Sequence, residues 1–221
     1  MLRGSRAVAL VALVTLATGC ARHKPRKEEP APTLAQAVVD AAAPPPIVLD
    51  AVDAAPAPRA YRVVLHTGDS TVGGGHGLAR ALKARFEADG AKYISDTVNS
   101  ATLLSSEAGL HLTESVEKHK PDLVLINLGT NEVFVPAPQA LEGRIRAIVR
   151  RVGARDCIWI GPPTWNGDKG IVEVLRENVA PCRFFDSSNM GIERISDGIH
   201  PTDKGGEQWA ARFWTFFRAD T

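Results

Sequence analysis

From residue 61 onwards, short and nearly continuous apolar runs alternate with longer stretches in which apolar residues recur at helical spacing. Residues 122–128 (DLVLINL) are typical of a strand buried on both faces of a sheet. Residues 138–152 have apolar positions along one helix face. The pattern predicts strands at 61–67, 91–98, 122–128, 157–160 and 183–186. It predicts helices at 76–89, 107–118, 138–152, 170–179 and 203–218. Asp203 is suited to cap the last of these helices.

Strands and helices that alternate in this way predict a parallel sheet with helices on both faces. We expect a three-layer α/β/α sandwich with five parallel strands in the flavodoxin-like order 2-1-3-4-5. Ligands bind such open sheets beyond the carboxyl ends of the strands. Ser70 follows the first strand and Asn131 follows the third, which are neighbours in this order. Both residues are therefore expected at one edge of the sheet.

The N-terminal part of the chain has a different composition. Residues 1–19 combine a basic start with an apolar run of about a dozen residues, too short to span a bilayer of roughly 30 Å. We interpret them as a cleaved signal peptide. The small residues before Cys20 resemble the lipobox of bacterial lipoproteins, which implies cleavage before Cys20 and lipidation of its thiol. The alternative is an ordinary secretory signal with an incidental cysteine.

Residues 20–60 are rich in alanine and proline, which favours an extended, semi-rigid tether over a core. The globular domain is then predicted at residues 61–221. Ala21, where an inner-membrane retention signal would have Asp, favours the outer membrane, so we expect a lipid-anchored protein of the bacterial cell envelope. Cleavage changes the formal net charge from +1 to about −1, which does not favour nucleic-acid binding.

The two remaining cysteines, Cys157 and Cys182, stand near the starts of predicted strands. Neighbouring strands could bring them within bridging distance, and a disulfide would persist in an oxidising compartment. Two buried free thiols are the equally weighted alternative. No cysteine or histidine cluster has the spacing of a zinc site, so we expect no metal.

Three short segments carry candidate chemistry: Gly-Asp-Ser at 68–70, Gly-Thr-Asn-Glu at 129–132 and Asp-Gly-Ile-His at 197–200. Together they supply a hydroxyl nucleophile, a polar donor, and a base with an orienting carboxylate. Acyl transfer through a serine ester needs these groups and no cofactor.

These segments, in this order, resemble those of the SGNH/GDSL hydrolase superfamily across nearly all of residues 61–221. The resemblance implies a catalytic triad of Ser70, Asp197 and His200. It also implies an oxyanion hole formed by the Ser70 and Ser100 backbone N–H groups and the Asn131 side chain. Two positions depart from the family pattern. Ser100 stands where a glycine is usual, which is tolerable only if that backbone does not require a positive φ. Glu132 replaces the usual Asp, and we interpret it as structural.

Other polar residues have simpler interpretations. Asp186, at a predicted strand end, is the rival to Asp197 as the triad carboxylate. Residues 73–77 form a glycine-rich loop but have Gly74 where a P-loop requires Lys, and they lack a dinucleotide fingerprint. We expect this loop to leave space for a bulky substrate. The remaining histidines are interpreted as structural or solvated: His66, His76, His111 and His119.

The sequence therefore predicts a serine esterase that hydrolyses acyl esters, with acetyl esters of cell-envelope carbohydrate as the expected substrate. Its predicted partners are this substrate and the membrane that holds the lipid anchor. An O-acetyltransferase would use the same residues and differ only in the acceptor. A non-catalytic glycan-binding domain is the alternative from another class. The sequence does not indicate an oligomeric state.

Overall fold

The computed structural model describes residues 60–73 and 76–219, without the side chains of residues 106–108. The predicted signal peptide, Cys20 and the tether as far as residue 59 lie outside the described residues, as do Gly74 and Gly75. Five strands are described: β1 (Val63–Gly68), β2 (Lys92–Thr97), β3 (Leu123–Asn127), β4 (Asp156–Ile160) and β5 (Arg183–Phe185). The described α-helices are α1 (Gly77–Ala88), α2 (Ser106–His119), α3 (Glu142–Val152), α4 (Ile171–Asn178) and α5 (Asp203–Ala219).

All strand pairs are parallel, in the order β2-β1-β3-β4-β5. This confirms the predicted fold class and strand order. Every residue of β3 is buried, as its apolar run predicts. Side chains alternate between the two faces of the strand. Leu123 and Leu125 pack with α1 and α5 on one face, while Val124 and Ile126 pack with α2, α3 and α4 on the other.

The helix predicted over 138–152 is confirmed: Pro138–Leu141 form a 3₁₀ turn, and the α-helix follows directly at Glu142. One predicted detail was wrong. The cap of α5 is Thr202, whose hydroxyl accepts a hydrogen bond from Gly205 N at 3.0 Å. Asp203 instead accepts the Gly77 N–H at 3.0 Å, so its carboxylate joins α5 to the start of α1.

The sulfur atoms of Cys157, in β4, and Cys182, just before β5, lie 1.94 Å apart, at bonding distance. The two strands are neighbours in the sheet. Within the described part of the chain, none of the helices combines the length and apolar character needed to cross a membrane.

Candidate active site

Ser70 lies directly beyond the carboxyl end of β1, at the start of a 3₁₀ turn over Ser70–Val72. Gly68 permits this placement, because a Cβ there would lie 2.1 Å from the Asn127 carbonyl oxygen of β3. Asp69 then turns the chain: its N–H donates to Asn127 O at 3.0 Å, and its side chain accepts the Thr71 N–H at 2.9 Å. The sequence Gly-Asp-Ser thus fixes the serine at the sheet edge.

The His200 ring lies between Ser70 and Asp197. Its Nε2 atom is 2.9 Å from Ser70 Oγ, and its Nδ1 atom is 2.6 Å from Asp197 Oδ2. The other Asp197 oxygen accepts the backbone N–H of Ile199 at 2.7 Å and that of His200 at 3.0 Å. These hydrogen bonds, led by the one from Ile199 N, lower the pKa of Asp197 to about 2. The carboxylate is therefore ionised and oriented toward the imidazole at neutral pH.

Arg194 holds the loop that carries His200. Its guanidinium donates to the carbonyl oxygens of Ile199 and Pro163, the latter at 2.6 Å. The backbone N–H of Ile195 donates to His200 O at 2.9 Å. The loop is thereby fixed to the segment that follows β4. Arg194 was not singled out from the sequence, where an arginine in a loop gives no distinguishing signal.

Asn131 lies in the 3₁₀ turn that follows β3, and its Nδ2 atom donates to Ala101 O at 2.7 Å. An amide nitrogen has two donors, so one N–H remains for a ligand. This hydrogen bond joins the Asn131 turn to the segment that contains Ser100. Ser100 has a φ of 58°. It therefore adopts the left-handed conformation that favours glycine. We expected a serine to replace the usual glycine here only if φ were not positive, and this expectation was wrong.

Two carboxyl groups are buried beside these residues. Asp69 is 0% exposed and Glu132 is 2% exposed. Glu132 Oε1 accepts the Leu103 N–H at 2.9 Å, which supports the loop beside Ser100. Among the described residues, Glu132 Oε2 has no hydrogen-bond partner. Hydrogen bonds from Thr71 and Thr130 to the Asp69 carboxyl act against the effect of burial on its pKa. Burial raises the pKa of Asp69, and burial together with the nearby Asp69 charge raises the pKa of Glu132 to about 7.

The other polar residues considered from the sequence lie in different contacts. Asp186 accepts hydrogen bonds from Arg176 at 2.7 Å and from the Ser188 hydroxyl at 2.6 Å, whereas Asp197 is the carboxylate beside His200. His66 is buried, which lowers its pKa to about 3. His111 Nε2 lies 3.0 Å from Asp96 Oδ1. No group of three or more His, Cys, Asp or Glu residues in the described ranges is arranged to hold a metal ion.

The sequence matches the family model of GDSL-like lipases and acylhydrolases over residues 62–208. A comparison with curated proteins gave no match. Among solved structures, the fold is similar to that of TesA, with 19% identity, a TM-score of 0.57, and coverage of 72% of this chain and 99% of that chain.

Two further solved structures are similar to this fold at comparable sequence identity, TM-score and coverage. The psychrotrophic esterase EstA from Pseudoalteromonas sp. is 16% identical, with a TM-score of 0.53 and coverage of 72% of this chain and 97% of its own. The acetyl xylan esterase AlAXEase is 15% identical, with a TM-score of 0.54 and coverage of 70% and 98%. At these identities the structural similarity establishes the fold alone.

Proposed function

The chain belongs to the GDSL-like lipase/acylhydrolase family, and from that premise we propose that it hydrolyses acyl esters through Ser70, His200 and Asp197. One observation carries this proposal: the His200 ring lies 2.9 Å from Ser70 Oγ and 2.6 Å from Asp197 Oδ2. A serine, its base and an orienting carboxylate in this geometry are the requirements of nucleophilic acyl transfer.

In the first half-reaction, Ser70 Oγ attacks the acyl carbon while His200 Nε2 accepts its proton. The proton on Nδ1 faces Asp197, which orients the ring and stabilises the imidazolium that forms. His200 then donates the proton to the alcohol oxygen as the ester bond breaks. An acyl group remains on Ser70.

In the second half-reaction, His200 accepts a proton from a water molecule, and the resulting attack releases the acid and restores Ser70. We assign stabilisation of the oxyanion to the backbone N–H groups of Ser70 and Ser100 and to the Asn131 amide. The left-handed backbone at Ser100 costs a serine roughly 1–2 kcal/mol relative to glycine but leaves its N–H in place. One such donor is worth about 3 kcal/mol of transition-state stabilisation. The hydrogen bond from Asn131 to Ala101 supports this assignment, because it joins two of the three donor segments.

We extend the proposal to acetyl esters of cell-envelope carbohydrate as the substrate. Fold similarity to an acetyl xylan esterase is compatible with it. The proposed location rests on the first twenty residues, with Cys20 as the lipidated residue. Metabolic labelling with a fatty acid should mark the parent protein and not a Cys20→Ala variant; labelling of that variant would exclude Cys20 as the anchor.

The proposed nucleophile is tested with a fluorophosphonate probe. We expect the probe to label Ser70 and to abolish hydrolysis of p-nitrophenyl acetate. The Ser70→Ala variant should remain folded by far-UV circular dichroism, resist labelling and lose at least about 10³-fold in kcat. Thr215→Ala, on the exposed side of α5, is a control hydroxyl variant that should remain active. Full activity in a folded Ser70→Ala protein would contradict the proposal.

A further inference from the structure

A cavity of about 280 Å³ lies among the loops that follow β4 and β5. The glycines Gly167 and Gly191 contribute to its wall. Its side chains are those of Thr164, Trp165, Asn189, Met190, Ile192 and Arg194.

Arg194 connects this cavity to the proposed base, because its guanidinium donates to the carbonyl oxygen of Ile199, the residue before His200. The same guanidinium lies 5.4 Å from the centre of the Trp165 ring. Trp165 in turn meets the Phe134 ring edge to face at 5.7 Å, three residues after Asn131. Two residues that line the cavity, Arg194 and Trp165, therefore contact the loop of the proposed base and the segment after the proposed amide donor.

The proposed reaction indicates which part of the ester this cavity would bind. His200 Nε2 must reach the alcohol oxygen to protonate it, so the alcohol part of the substrate extends on the histidine side of the carbonyl. We propose that the cavity binds this alcohol part and that the alcohol is a sugar. This inference rests on the proposed esterase function and assigns a binding site to the sugar part of its proposed substrate.

The lining favours a sugar over an alkyl chain. Arg194 lies over one face of the Trp165 indole, so the C–H face of a sugar ring would stack on the remaining indole surface. Thr164 and Asn189 carry groups that pair with hydroxyls. An alkyl chain would displace water from these polar groups without replacing its hydrogen bonds. The backbone N–H of Asn189 donates to Thr164 Oγ1, with the nitrogen and oxygen 3.4 Å apart. This hydrogen bond joins the loop after β4 to the loop after β5. Phe134, which is 55% exposed, adds a second aromatic ring beside Trp165.

The test compares two acetate esters that differ in their alcohol part: 6-O-acetylglucose, which keeps its ring hydroxyls free, and p-nitrophenyl acetate. We measure kcat/KM for both, and we take the ratio of the sugar ester to the aryl ester. Trp165→Ala and Asn189→Gly should each lower this ratio by about tenfold. Glycine is the substitute at residue 189 because the φ there is 58°. Trp165→Phe, which keeps an aromatic ring beside Phe134, should lower the ratio less.

Leu110→Ala provides the control, since Leu110 is 56% exposed on α2 and does not line the cavity. Its ratio should equal that of the parent. An unchanged ratio in Trp165→Ala and Asn189→Gly, with both proteins folded, would overturn the sugar assignment. A parent protein that cleaves the aryl ester and not the sugar ester would also overturn the sugar assignment. That result would leave the esterase proposal intact. A parent inactive on both esters, or an active Ser70→Ala variant, would refute the esterase proposal itself.

Discussion

At the scale of single residues, ionisation of the buried Glu132 carboxyl group lowers the free energy of unfolding. Burial raises its pKa to about 7 from the ordinary 4.5, so the folded protein holds this proton more tightly than the unfolded chain does. Stability should therefore fall as the pH rises from about 4.5 to about 7, and then level off. Asp69 acts in the same direction, because burial raises its pKa as well.

Glu132→Gln tests this effect, because glutamine keeps an oxygen that can accept the Leu103 N–H and cannot ionise. Between pH 5 and pH 8, we expect the unfolding free energy of the variant to rise relative to the parent by about 1–3 kcal/mol. Urea unfolding at four pH values across this range measures the difference. Parallel pH dependences for the two proteins would show that Glu132 does not titrate in this window.

The polar residues of the site differ in how far the sequence could predict them. Ser70, Asp197 and His200 lie in compact motifs, and the structure brings all three side chains together. The positive φ of Ser100 could not be predicted, because it depends on how the loop after β2 meets the Asn131 turn. The contacts of Arg194 depend on two loops distant in sequence, which no local pattern encodes.

At the scale of elements, the packing of α1 against α5 supports the site. A Cβ at Gly206 in α5 would lie 2.2 Å from the carbonyl carbon of Gly77, so the helices meet backbone to backbone. The Asp203 carboxylate, one helical turn earlier, accepts the Gly77 N–H. Since α5 begins three residues after His200, a shift of this helix would displace the proposed base.

Gly206→Ala should therefore destabilise the protein by about 3 kcal/mol or more and reduce esterase activity. Gly143→Ala is the matched control in α3, because a Cβ there would meet nothing within 4 Å. Alanine should stabilise that helix by about 0.5 kcal/mol. Thermal unfolding of both variants measures the contrast. Equal melting temperatures would refute the close helix contact.

The elements themselves were largely predictable, because alternating strand and helix patterns permit few arrangements of a parallel sheet. The residue at which the α-helix α3 begins could not be predicted. A 3₁₀ turn and an α-helical turn share nearly the same apolar spacing over four residues, so the pattern at Pro138–Leu141 could not separate them. The role of Asp203 was also mistaken, since its partner Gly77 lies 126 residues away.

At the scale of the whole molecule, the candidate site is assembled from turns far apart in the chain. Ser70 follows β1 and Asn131 follows β3, and these strands pair directly in the sheet. The strand order alone therefore brings the proposed nucleophile and amide donor to one edge. The cavity beside Arg194 depends on longer loops after β4 and β5, whose shapes the strand pattern does not determine.

The cell-envelope location predicted from the N-terminal residues affects the expected redox state of the two cysteines in the domain. Export would place Cys157 and Cys182 in an oxidising compartment, where a disulfide between them persists. The two residues are 25 positions apart in the sequence. Closing a loop of this length stabilises a folded chain by about 3 kcal/mol, chiefly by restricting the unfolded state.

We therefore expect non-reducing peptide mapping of protein recovered from the cell envelope to find the Cys157 and Cys182 peptides linked. Reductant should lower the melting temperature of the parent. The double variant Cys157→Ala, Cys182→Ala should melt near the reduced parent and respond no further to reductant, because it has no bond to lose. A reductant effect on that variant would have to arise elsewhere, because both cysteines are absent. Two free thiols in the recovered protein would refute the disulfide, and an export signal alone would then not suffice to predict it.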